Sequence, residues 1–349
     1  MKQKQIIILS LVLSVLLVGT LIKTVIQKEN VQTVPGNQIY GSLAFGFEPH
    51  KVETILIGRG MRDPLVELVK ESGLWKVKGL WAANANEEKV DNFLGELRGA
   101  RGEIRATGRD FFPDFGIRDA EAFFIKLIGA GNATLLDLRV GTKTTGSRGY
   151  FLRKANGDEV YFTDTNMAEL LGIYTNFTEA VPSNSYWADL ALFHADIDRT
   201  ISVVMEHISA ERRRTTVLGI RREGTESDLT KKLWSFINQG SSKKPVDSEK
   251  VLRLFVTLNS VQAQSVADPS GKDYGLDTPF LEITVTEKGH NEIHAIVSPK
   301  NVKEDVCFVK ISNRPGIFKL SAHYLQDLDM KDEQLLKDNA VEKASSKTL

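Results

Sequence analysis

The feature that most constrains the fold of this 349-residue chain is an internal duplication. Two stretches, roughly residues 40–175 and 190–330, carry the same features in the same order at a nearly constant offset. The matched segments are Leu74-Trp75 with Leu233-Trp234, Lys89-Val90 with Lys250-Val251, Phe115-Gly116-Ile117 with Tyr274-Gly275-Leu276, Tyr150-Phe151-Leu152-Arg153 with Cys307-Phe308-Val309-Lys310, and Val160 with Ile317. The offset is 159 residues at the tryptophans (234 − 75), 161 at the lysines (250 − 89) and 157 at the end (317 − 160). This order predicts two copies of one structural module.

Each copy contains one amphipathic segment with the period of an α-helix. In the first copy the helix is predicted from Asn86 to Leu97, with Asn86 or Asn84 as its N-cap. The second copy repeats the pattern between Glu249 and Leu258. The apolar positions are Val90, Phe93, Leu94 and Leu97 in the first copy, and Val251, Leu254, Phe255 and Leu258 in the second. Short helices are predicted around Met167–Leu171 and Tyr324–Leu328.

The remainder of each copy carries strand and turn signals. In the first copy, residues 48–57 are predicted to form a turn that leads into a strand, and further strands are predicted over residues 65–77 (with a bend at Gly73), 123–128 and 133–140. A hairpin then flanks Asn156-Gly157, and a type I′ turn is predicted there because both residues accept a positive φ. The second copy has Asn313 at the matching place. The sequence therefore predicts an α+β fold with two repeated modules, each a mostly antiparallel sheet with one main helix.

The N-terminus carries an apolar segment long enough to cross a bilayer. Residues Ile6 to Ile22 contain no charge, and at about 1.5 Å per residue they span roughly 26 Å of a hydrocarbon core of about 30 Å. A cleaved signal peptide is the alternative, but no small-x-small cleavage site follows. We therefore predict a transmembrane anchor over residues 5–26, after a cytoplasmic tail at 1–4. The other predicted boundaries are a linker at 27–42, modules at 43–178 and 179–330, and a polar C-terminal tail that frays at 331–349.

The predicted location is the inner (cytoplasmic) membrane, with a single span and an extracytoplasmic body. Lysines lie on both sides of the apolar segment, so the positive-inside rule alone does not orient it. A very short tail inside with a large exported domain is the more usual arrangement. The single cysteine, Cys307, excludes a disulfide within the chain, so the body must be stabilised by its core.

The charge balance argues against a nucleic-acid partner. Lys plus Arg and Asp plus Glu both number 45, so the formal net charge is zero. The nearest approach to a basic patch is Arg212-Arg213-Arg214 with Arg221-Arg222, and no aromatic stacking residues interleave it. We expect these arginines to lie on a solvated edge or loop.

Two segments resemble ligand-binding motifs but lack the required geometry. Residues 141–149, Gly-Thr-Lys-Thr-Thr-Gly-Ser-Arg-Gly, resemble a phosphate loop, but the lysine is misplaced and a strand is predicted to follow instead of a helix. His290 and His294 have a spacing that could bind a metal on a helix, completed by Glu292 or His323. In an extended chain this spacing separates the two residues by roughly 13 Å, so polar turn roles are favoured.

Other reactive side chains have structural explanations. Cys307 is predicted to pack as a small apolar group in a strand. The acidic residues near the matched glycines are Asp110, Asp114, Asp119 and Glu121 in the first copy, and Asp268, Asp273 and Asp277 in the second. Capping and turn roles are favoured for them. The tryptophans Trp75, Trp81, Trp187 and Trp234 are predicted to pack against the helices. No catalytic, cofactor-binding or metal-binding residue is predicted.

Several of these features together resemble one bacterial family, the domain-of-unknown-function 4340 family. They are the apolar N-terminus, the Leu74-Trp75 strand, the Lys89-Val90 helix, the Phe115-Gly116-Ile117 turn and the terminal hairpin, and the likeness covers nearly all of residues 43–330. The resemblance implies an extracytoplasmic partner of gliding-motility-type ABC transporters. It supplies no catalytic residues. The copies differ after the matched tryptophans: the first continues with Lys76-Val77, whereas the second runs through Ser235-Phe236-Ile237 into a Ser/Lys-rich loop.

The sequence favours a membrane-anchored binding or accessory protein of an ABC-type transport or envelope-assembly system, without catalytic activity. The expected partners are the membrane, through residues 5–26, and transporter subunits or other envelope proteins. One alternative is an anchored, hydrolase-like enzyme with a cleft between the modules, and another is a structural envelope protein. The position of a partner-binding or inter-module surface does not follow from the sequence.

Overall fold

The structure, a computed structural model, describes residues 45–144, 149–223, 233–237, 246–270, 273–289, 291–312 and 314–336. The predicted cytoplasmic tail at 1–4, anchor at 5–26 and linker at 27–42 lie outside these residues. So do residues 337–349 of the predicted C-terminal tail. Within the described ranges, no helix is long and apolar enough to span a membrane.

The first module is built on an antiparallel sheet of nine strands. In chain order these are β1 (Val52–Arg59), β2 (Val66–Glu71), β3 (Leu74–Val77), β4 (Ala83–Asn84), β5 (Glu103–Thr107), β6 (Phe123–Gly129), β7 (Thr134–Thr144), β8 (Tyr150–Lys154) and β9 (Glu159–Thr163). Their spatial order is β4-β3-β2-β1-β6-β7-β8-β9-β5, with every pair antiparallel.

The second module repeats this arrangement with eight strands among the described residues. They are β10 (Thr200–Ile208), β11 (Arg214–Arg222), β12 (Trp234–Phe236), β13 (Ser265–Ala267), β14 (Leu281–Glu287), β15 (Asn291–Val297), β16 (Val306–Ile311) and β17 (Ile317–Ser321). Their order, β12-β11-β10-β14-β15-β16-β17-β13, is that of the first sheet without β4. The two modules and the α+β class, rich in β structure, are therefore confirmed.

The two main helices occupy matching places in the modules. Helix α1 (Glu87–Gly99) begins at Asn86, whose side chain accepts the Lys89 N–H at 2.9 Å. The short helices α2 (Phe112–Phe115), α3 (Met167–Leu170) and α4 (Asn184–Trp187) follow. Helix α5 (Ser248–Ser260) begins at Asp247, which accepts two backbone N–H groups, and α6 (Leu325–Leu328) closes the second module. All eight predicted apolar positions of α1 and α5 are buried, so these faces hold the helices on the sheets.

The tight two-residue turn lies in a different hairpin from the one predicted. Ser72 and Gly73 have φ values of 52° and 86° and join β2 to β3, so the single strand predicted over residues 65–77 is two strands. The β8–β9 hairpin exists, but the type I′ turn predicted at Asn156-Gly157 is wrong, because neither residue has a positive φ. Here the Gly157 N–H donates to Lys154 O at 3.0 Å, and the Arg153 guanidinium donates to the Ala155 carbonyl at 2.6 Å. These contacts hold a four-residue connection.

The cores of the two modules merge into one buried cluster that contains residues from both sheets and both main helices. A smaller cluster of Phe112, Ile117, Phe151 and Val160 lies around α2. Residues 332–335 are packed, so fraying does not begin at Lys331 as predicted. Asp332–Leu335 form a 3-10 helix in which Leu335 is fully buried, and Asp332 accepts the Gly219 N–H at 3.0 Å.

Candidate functional site

A lysine in the first turn of each main helix holds the chain segment that follows its module. The Lys89 ammonium donates to Tyr186 O at 2.9 Å, and the Lys250 ammonium donates to Leu336 O at 2.8 Å. The two contacts are equivalent in the repeat, and each fastens a closing segment to a helix. The matched lysines therefore have a structural role in both modules.

In the first module an open polar groove adjoins this lysine. It lies between α1 on one side and α3 and α4 on the other, and its volume is about 460 Å³. The residues that line this α1 groove are Lys89, Asn92, Phe93, Glu96, Thr165, Asn166, Glu169, Leu170 and Tyr186. Four of them stand at i, i+3, i+4 and i+7 along α1, which places them on one face of the helix.

One end of the α1 groove combines a half-buried ammonium with an aromatic ring. Lys89 Nζ lies 4.5 Å from the centroid of the Tyr186 ring. Burial lowers the pKa of Lys89, and the attraction of Asp189 opposes this only in part. Burial, followed by the hydrogen bond and charge of Tyr174, raises the pKa of Tyr186 to about 12. Within the described part of the chain Lys89 forms no salt bridge, so two of its three N–H donors remain available.

The opposite wall of the α1 groove is held in place by Asn166. Its side-chain oxygen caps α3 by accepting the Glu169 N–H at 3.3 Å, and it also accepts the Tyr150 hydroxyl at 3.3 Å. Its amide group donates to one Glu169 carboxylate oxygen at 3.1 Å. These bonds orient Glu169 and leave its second carboxylate oxygen free to accept a ligand's hydrogen bond.

Asn92 and Glu96 supply the polar groups on the α1 side. Both are exposed. Neither forms a hydrogen bond or ion pair with any residue that the structure describes. The fold does not use these two side chains, so they are available to a ligand.

The connection between the modules is held by a buried ion pair. Arg314, in the β16–β17 hairpin, has a side chain only 6% exposed, and its guanidinium lies 3.0 Å from the Asp189 carboxylate. The same group donates to the backbone carbonyls of Asp189 and Ala191. His194 Nε2 bonds the same Asp189 carboxylate oxygen, Oδ2, also at 3.0 Å. Burial raises the pKa of Asp189, but the His194 bond and the Arg314 charge outweigh it, so the net pKa is lowered. These contacts join the second module to the segment that leaves the first.

The second repeat also exposes an apolar surface. Leu252 and Val256, one turn apart on α5, are 53% and 62% exposed. Ile237 is exposed at the end of β12, whose Trp234 ring packs 6.0 Å from Phe255 of α5. At the matching positions the first repeat has Asp91, Gly95 and Lys78. We call Leu252 and Val256 the α5 face.

A family model matches the chain over residues 75–244 and again over residues 234–346. The two matches begin at Trp75 and Trp234, the residues that the internal duplication pairs. Together they cover well over half of the chain. The chain belongs to the family described as Domain of unknown function (DUF4340). No curated protein and no solved structure matches this DUF4340 chain.

The histidines singled out in the DUF4340 sequence do not converge with other metal-ligating groups among the described residues. His294 lies in β15 rather than in a turn, and its Nε2 bonds the Glu282 carboxylate at 3.1 Å. Glu292 lies in the same strand, and His323 lies in a 3-10 helix. His290 is outside the described residues. No three His, Cys, Asp or Glu side chains in the described ranges are grouped so that they could bind a metal ion.

The glycine-rich segment 141–149 connects two strands, as predicted. It includes the end of β7 at Thr144 and leads into β8 at Tyr150, while residues 145–148 lie outside the described ranges. Cys307 is fully buried in β16, where burial raises the pKa of its thiol to about 12. The prediction that it packs as an apolar group is confirmed.

The acidic residues divide into two kinds. Asp273 accepts the Gly275 N–H at 2.7 Å and Asp268 accepts the Ser270 N–H at 2.8 Å, so the predicted turn roles of these two are confirmed. Asp119 lies in a turn, but its side chain pairs with Arg139 and Arg153, each at 2.7 Å, instead of capping the backbone. Burial raises the pKa of Asp119, but its bonds and attraction to the two arginines outweigh burial and lower it overall.

Two buried arginines were not anticipated. Arg153 has a side chain only 2% exposed and donates to Ile117 O at 2.9 Å. Arg222, expected on a solvated edge, is buried and donates to Thr200 O at 3.2 Å, with its guanidinium 5.0 Å from the Trp234 ring. Both arginines bond backbone carbonyls and contact aromatic rings, which is compatible with burial. These carbonyl and aromatic partners cannot be predicted from the sequence of a strand alone.

Of the four tryptophans, three are buried. Trp187 packs edge-on against Phe93 of α1 at 5.2 Å, and Trp234 lies against Phe255 of α5. Trp75 is buried in β3. Trp81 is the exception to the predicted packing, because it is 44% exposed and has a positive φ of 50°.

Proposed function

We propose that this DUF4340 chain is a membrane-anchored, extracytoplasmic binding protein that acts as an accessory to an ABC-type transport or envelope-assembly system. The uncharged run from Ile6 to Ile22 supports the anchor. The likeness of the sequence to extracytoplasmic partners of ABC transporters supports the system. The proposed role is non-catalytic and consists of holding a partner through the two-module body.

The observation that carries the proposal is the α5 face. The two repeats have the same strand order and bury the same positions of their main helices. Only the helix of the second repeat also exposes apolar side chains, Leu252 and Val256, where the first has Asp91 and Gly95. Covering one such side chain contributes about 1.5–3 kcal/mol, less the part already buried. Two apolar side chains one turn apart on an exposed helix face are a surface that a protein partner can cover.

The occupant that we assign to the α5 face is an apolar surface of a transporter subunit. An anchor at residues 5–26 would confine the body to the vicinity of that membrane, which raises the effective concentration of a membrane-embedded partner. The exposed Arg253 on the same helix supplies a charge at the rim.

The test is purification of the tagged full-length chain from its own membranes in mild detergent, followed by mass spectrometry. Wild type is expected to bring down transporter subunits in stoichiometric amount. The variant Leu252→Asp/Val256→Gln should lose them, because an aspartate in an apolar interface leaves a charge without a partner. The matched control is Asp91→Asn in α1, which should retain them.

Recovery of the chain without transporter subunits would contradict the accessory role. Retention of the subunits by Leu252→Asp/Val256→Gln would contradict the assignment of the α5 face while leaving the accessory role in place. Both conclusions require near-identical circular dichroism spectra of wild type and the two variants, which show that all three proteins are folded.

A further inference from the structure

We propose that the α1 groove binds a neutral polyhydroxylated ligand, a saccharide of one or two rings. The groove is separate from the α5 face and lies in the other repeat. The inference goes beyond the accessory role and does not depend on the identity of the transporter. It rests on the size of the groove, its charge, its unused polar groups and its difference from the second repeat.

The size of the groove fits a small molecule. Its volume of about 460 Å³ falls within the roughly 300–1,000 Å³ that small-molecule sites occupy. The groove is bounded by helices on both sides and does not run along a sheet edge, so it offers no row of backbone groups to an extended peptide. A compact ligand is therefore favoured over a peptide strand.

The charges of the groove favour a neutral ligand. Glu96 and Glu169 contribute two carboxylates and Lys89 contributes one ammonium, so the lining carries a formal charge of about −1. Two carboxylates disfavour a phosphate or a carboxylate ligand, and the ammonium offsets one of the two charges that would attract a cation. Hydroxyl groups satisfy both, because each hydroxyl donates to a carboxylate and accepts from an ammonium or amide.

The unused polar groups match the pattern of vicinal hydroxyls. Asn92 offers a donor and an acceptor, and Glu96, four residues further along α1, offers two acceptors on the same side of the helix. Glu169, oriented by Asn166, offers an acceptor from the facing wall. Together these groups approach a ligand from two sides.

The groove also has apolar surface for the C–H face of a sugar ring. Leu170 and Tyr186 are half-buried and border the polar groups, and Phe93 lies beneath them. An aromatic ring beside amide and carboxylate groups gives a site with both apolar and hydrogen-bonding surfaces.

The second repeat shows that these groups are not required by the fold. Lys250 keeps the structural contact of Lys89, but Arg253 and Thr257 stand where the first repeat has Asn92 and Glu96. The change adds a cation and removes a carboxylate at matching positions of the helix. The saccharide site is therefore assigned to the first module alone.

The test measures ligand binding to the purified full-length chain in detergent. The probes are maltose, cellobiose and N,N′-diacetylchitobiose, with inorganic phosphate and tetra-alanine as competing ligand classes. Saturation-transfer NMR reports contact with the ligand. Tryptophan fluorescence reports the groove, because Trp187 contacts both Phe93 and Tyr186, at 5.2 and 5.1 Å. Probe concentrations reach about 10 mM, tenfold above a weak Kd of ~1 mM.

The decisive variants are Asn92→Ala and Glu96→Ala, whose side chains have no partner among the described residues and whose loss should leave the fold intact. Each should weaken saccharide binding roughly tenfold, the loss expected for a hydrogen bond with a charged or bidentate partner. The matched control Thr257→Ala, at the position of α5 that corresponds to Glu96, should leave Kd unchanged.

Absence of saccharide binding at these concentrations overturns the proposal. Binding of phosphate or tetra-alanine in preference to every disaccharide overturns the ligand class. Saccharide binding that is indifferent to Asn92→Ala and Glu96→Ala overturns the site. None of these outcomes affects co-purification with transporter subunits, so failure of the saccharide site and failure of the accessory role are distinguishable.

Discussion

Removing the guanidinium of Arg314 is predicted to release the second module from the segment that joins it to the first. Arg314→Met keeps the length and most of the apolar stem of the side chain, which packs over Phe318. It removes the ion pair with Asp189 and the donors to the carbonyls of Asp189 and Ala191. The Asp189 carboxylate then stays largely buried, at 14% exposure, without its cation.

The size of the effect follows from burial. Removing one partner of a buried pair destabilises a protein by about 3–5 kcal/mol, because the other charge is left without compensation. His194 remains bonded to Asp189 and is exposed, which places the expected loss near the lower end, about 3 kcal/mol. This is a large fraction of the ~5–15 kcal/mol by which a folded protein is stable.

The assay is urea unfolding of the full-length chain followed by tryptophan fluorescence. The matched control is Arg199→Met, because Arg199 pairs with Glu287 at 3.8 Å and its side chain is 56% exposed. That pair should contribute about 0–1 kcal/mol. A double-mutant cycle with Asp189→Asn should give a coupling energy of roughly 1.5–3 kcal/mol.

The effect should also depend on pH. The folded pKa of Asp189 lies below its ordinary value of 3.8, so its stabilisation is present above that pH and is lost as pH falls through the folded pKa. The destabilisation by Arg314→Met should therefore shrink as the pH is lowered below about 4. Equal losses for Arg314→Met and Arg199→Met, or additive losses in the cycle, would refute the assignment of Arg314 and Asp189 as the inter-module contact.

Two further predictions concern individual residues. Gly73→Ala should destabilise the chain by about 1–2 kcal/mol, since Gly73 has a φ of 86° and an added Cβ meets nothing within 4 Å, so only backbone strain acts. Gly95→Ala, in open space on α1, should stabilise the chain by about 1 kcal/mol. The two glycine variants should shift the urea midpoint in opposite directions, and shifts of the same sign would contradict the predictions. Cys307, buried and with its pKa raised to about 12, should react with Ellman's reagent only as fast as the chain unfolds; rapid labelling of the folded protein would contradict its burial.

The parts of the fold that sequence reasoning predicts are those with a strong local signal. Helices α1 and α5 have four buried positions at helical spacing and an Asn or Asp cap, so their place and buried face follow directly. The duplication predicts that the second sheet copies the first. The pairing of β1 with β6, and of β9 with β5, does not follow, because these strands are far apart in sequence and nothing local selects a partner.

The edge strands β5 and β13 have no comparable signal. In β5, Glu-Ile-Arg-Ala-Thr, no residue is fully buried, and β13 is only three residues long. Such strands form because the unpaired backbone groups at the edge of a sheet are available for hydrogen bonding. Their apolar pattern is too weak to predict a strand from the sequence. The prediction of the turn at Asn156-Gly157 is wrong for a related reason. Asn156-Gly157 permits a type I′ turn, but the contacts of Arg153 with the neighbouring backbone select a longer connection.

The candidate sites could not be predicted because they depend on which charged residues the fold uses and which it leaves unused. Arg153 and Arg222 belong to residue types that are mostly exposed, yet both are buried by carbonyl and aromatic partners. Asn92 and Glu96 resemble any solvated helix positions in sequence. They become candidates only when α3 and α4 are seen to form a wall opposite them.

The differences between the two repeats carry more information about function than the features they share. Lys89 and Lys250 are matched because each fastens a closing segment, a requirement of the fold. A residue that the fold does not need is free to diverge, and divergence on the surface then follows what each module contacts. By this reasoning, the difference between Glu96 and its counterpart Thr257 points to the proposed saccharide site in the α1 groove. The difference between Asp91 and its counterpart Leu252 points to the proposed partner contact at the α5 face. The two modules share one architecture and expose surfaces of different chemistry, so the physical expectation is a protein with two distinct partners instead of one site made twice.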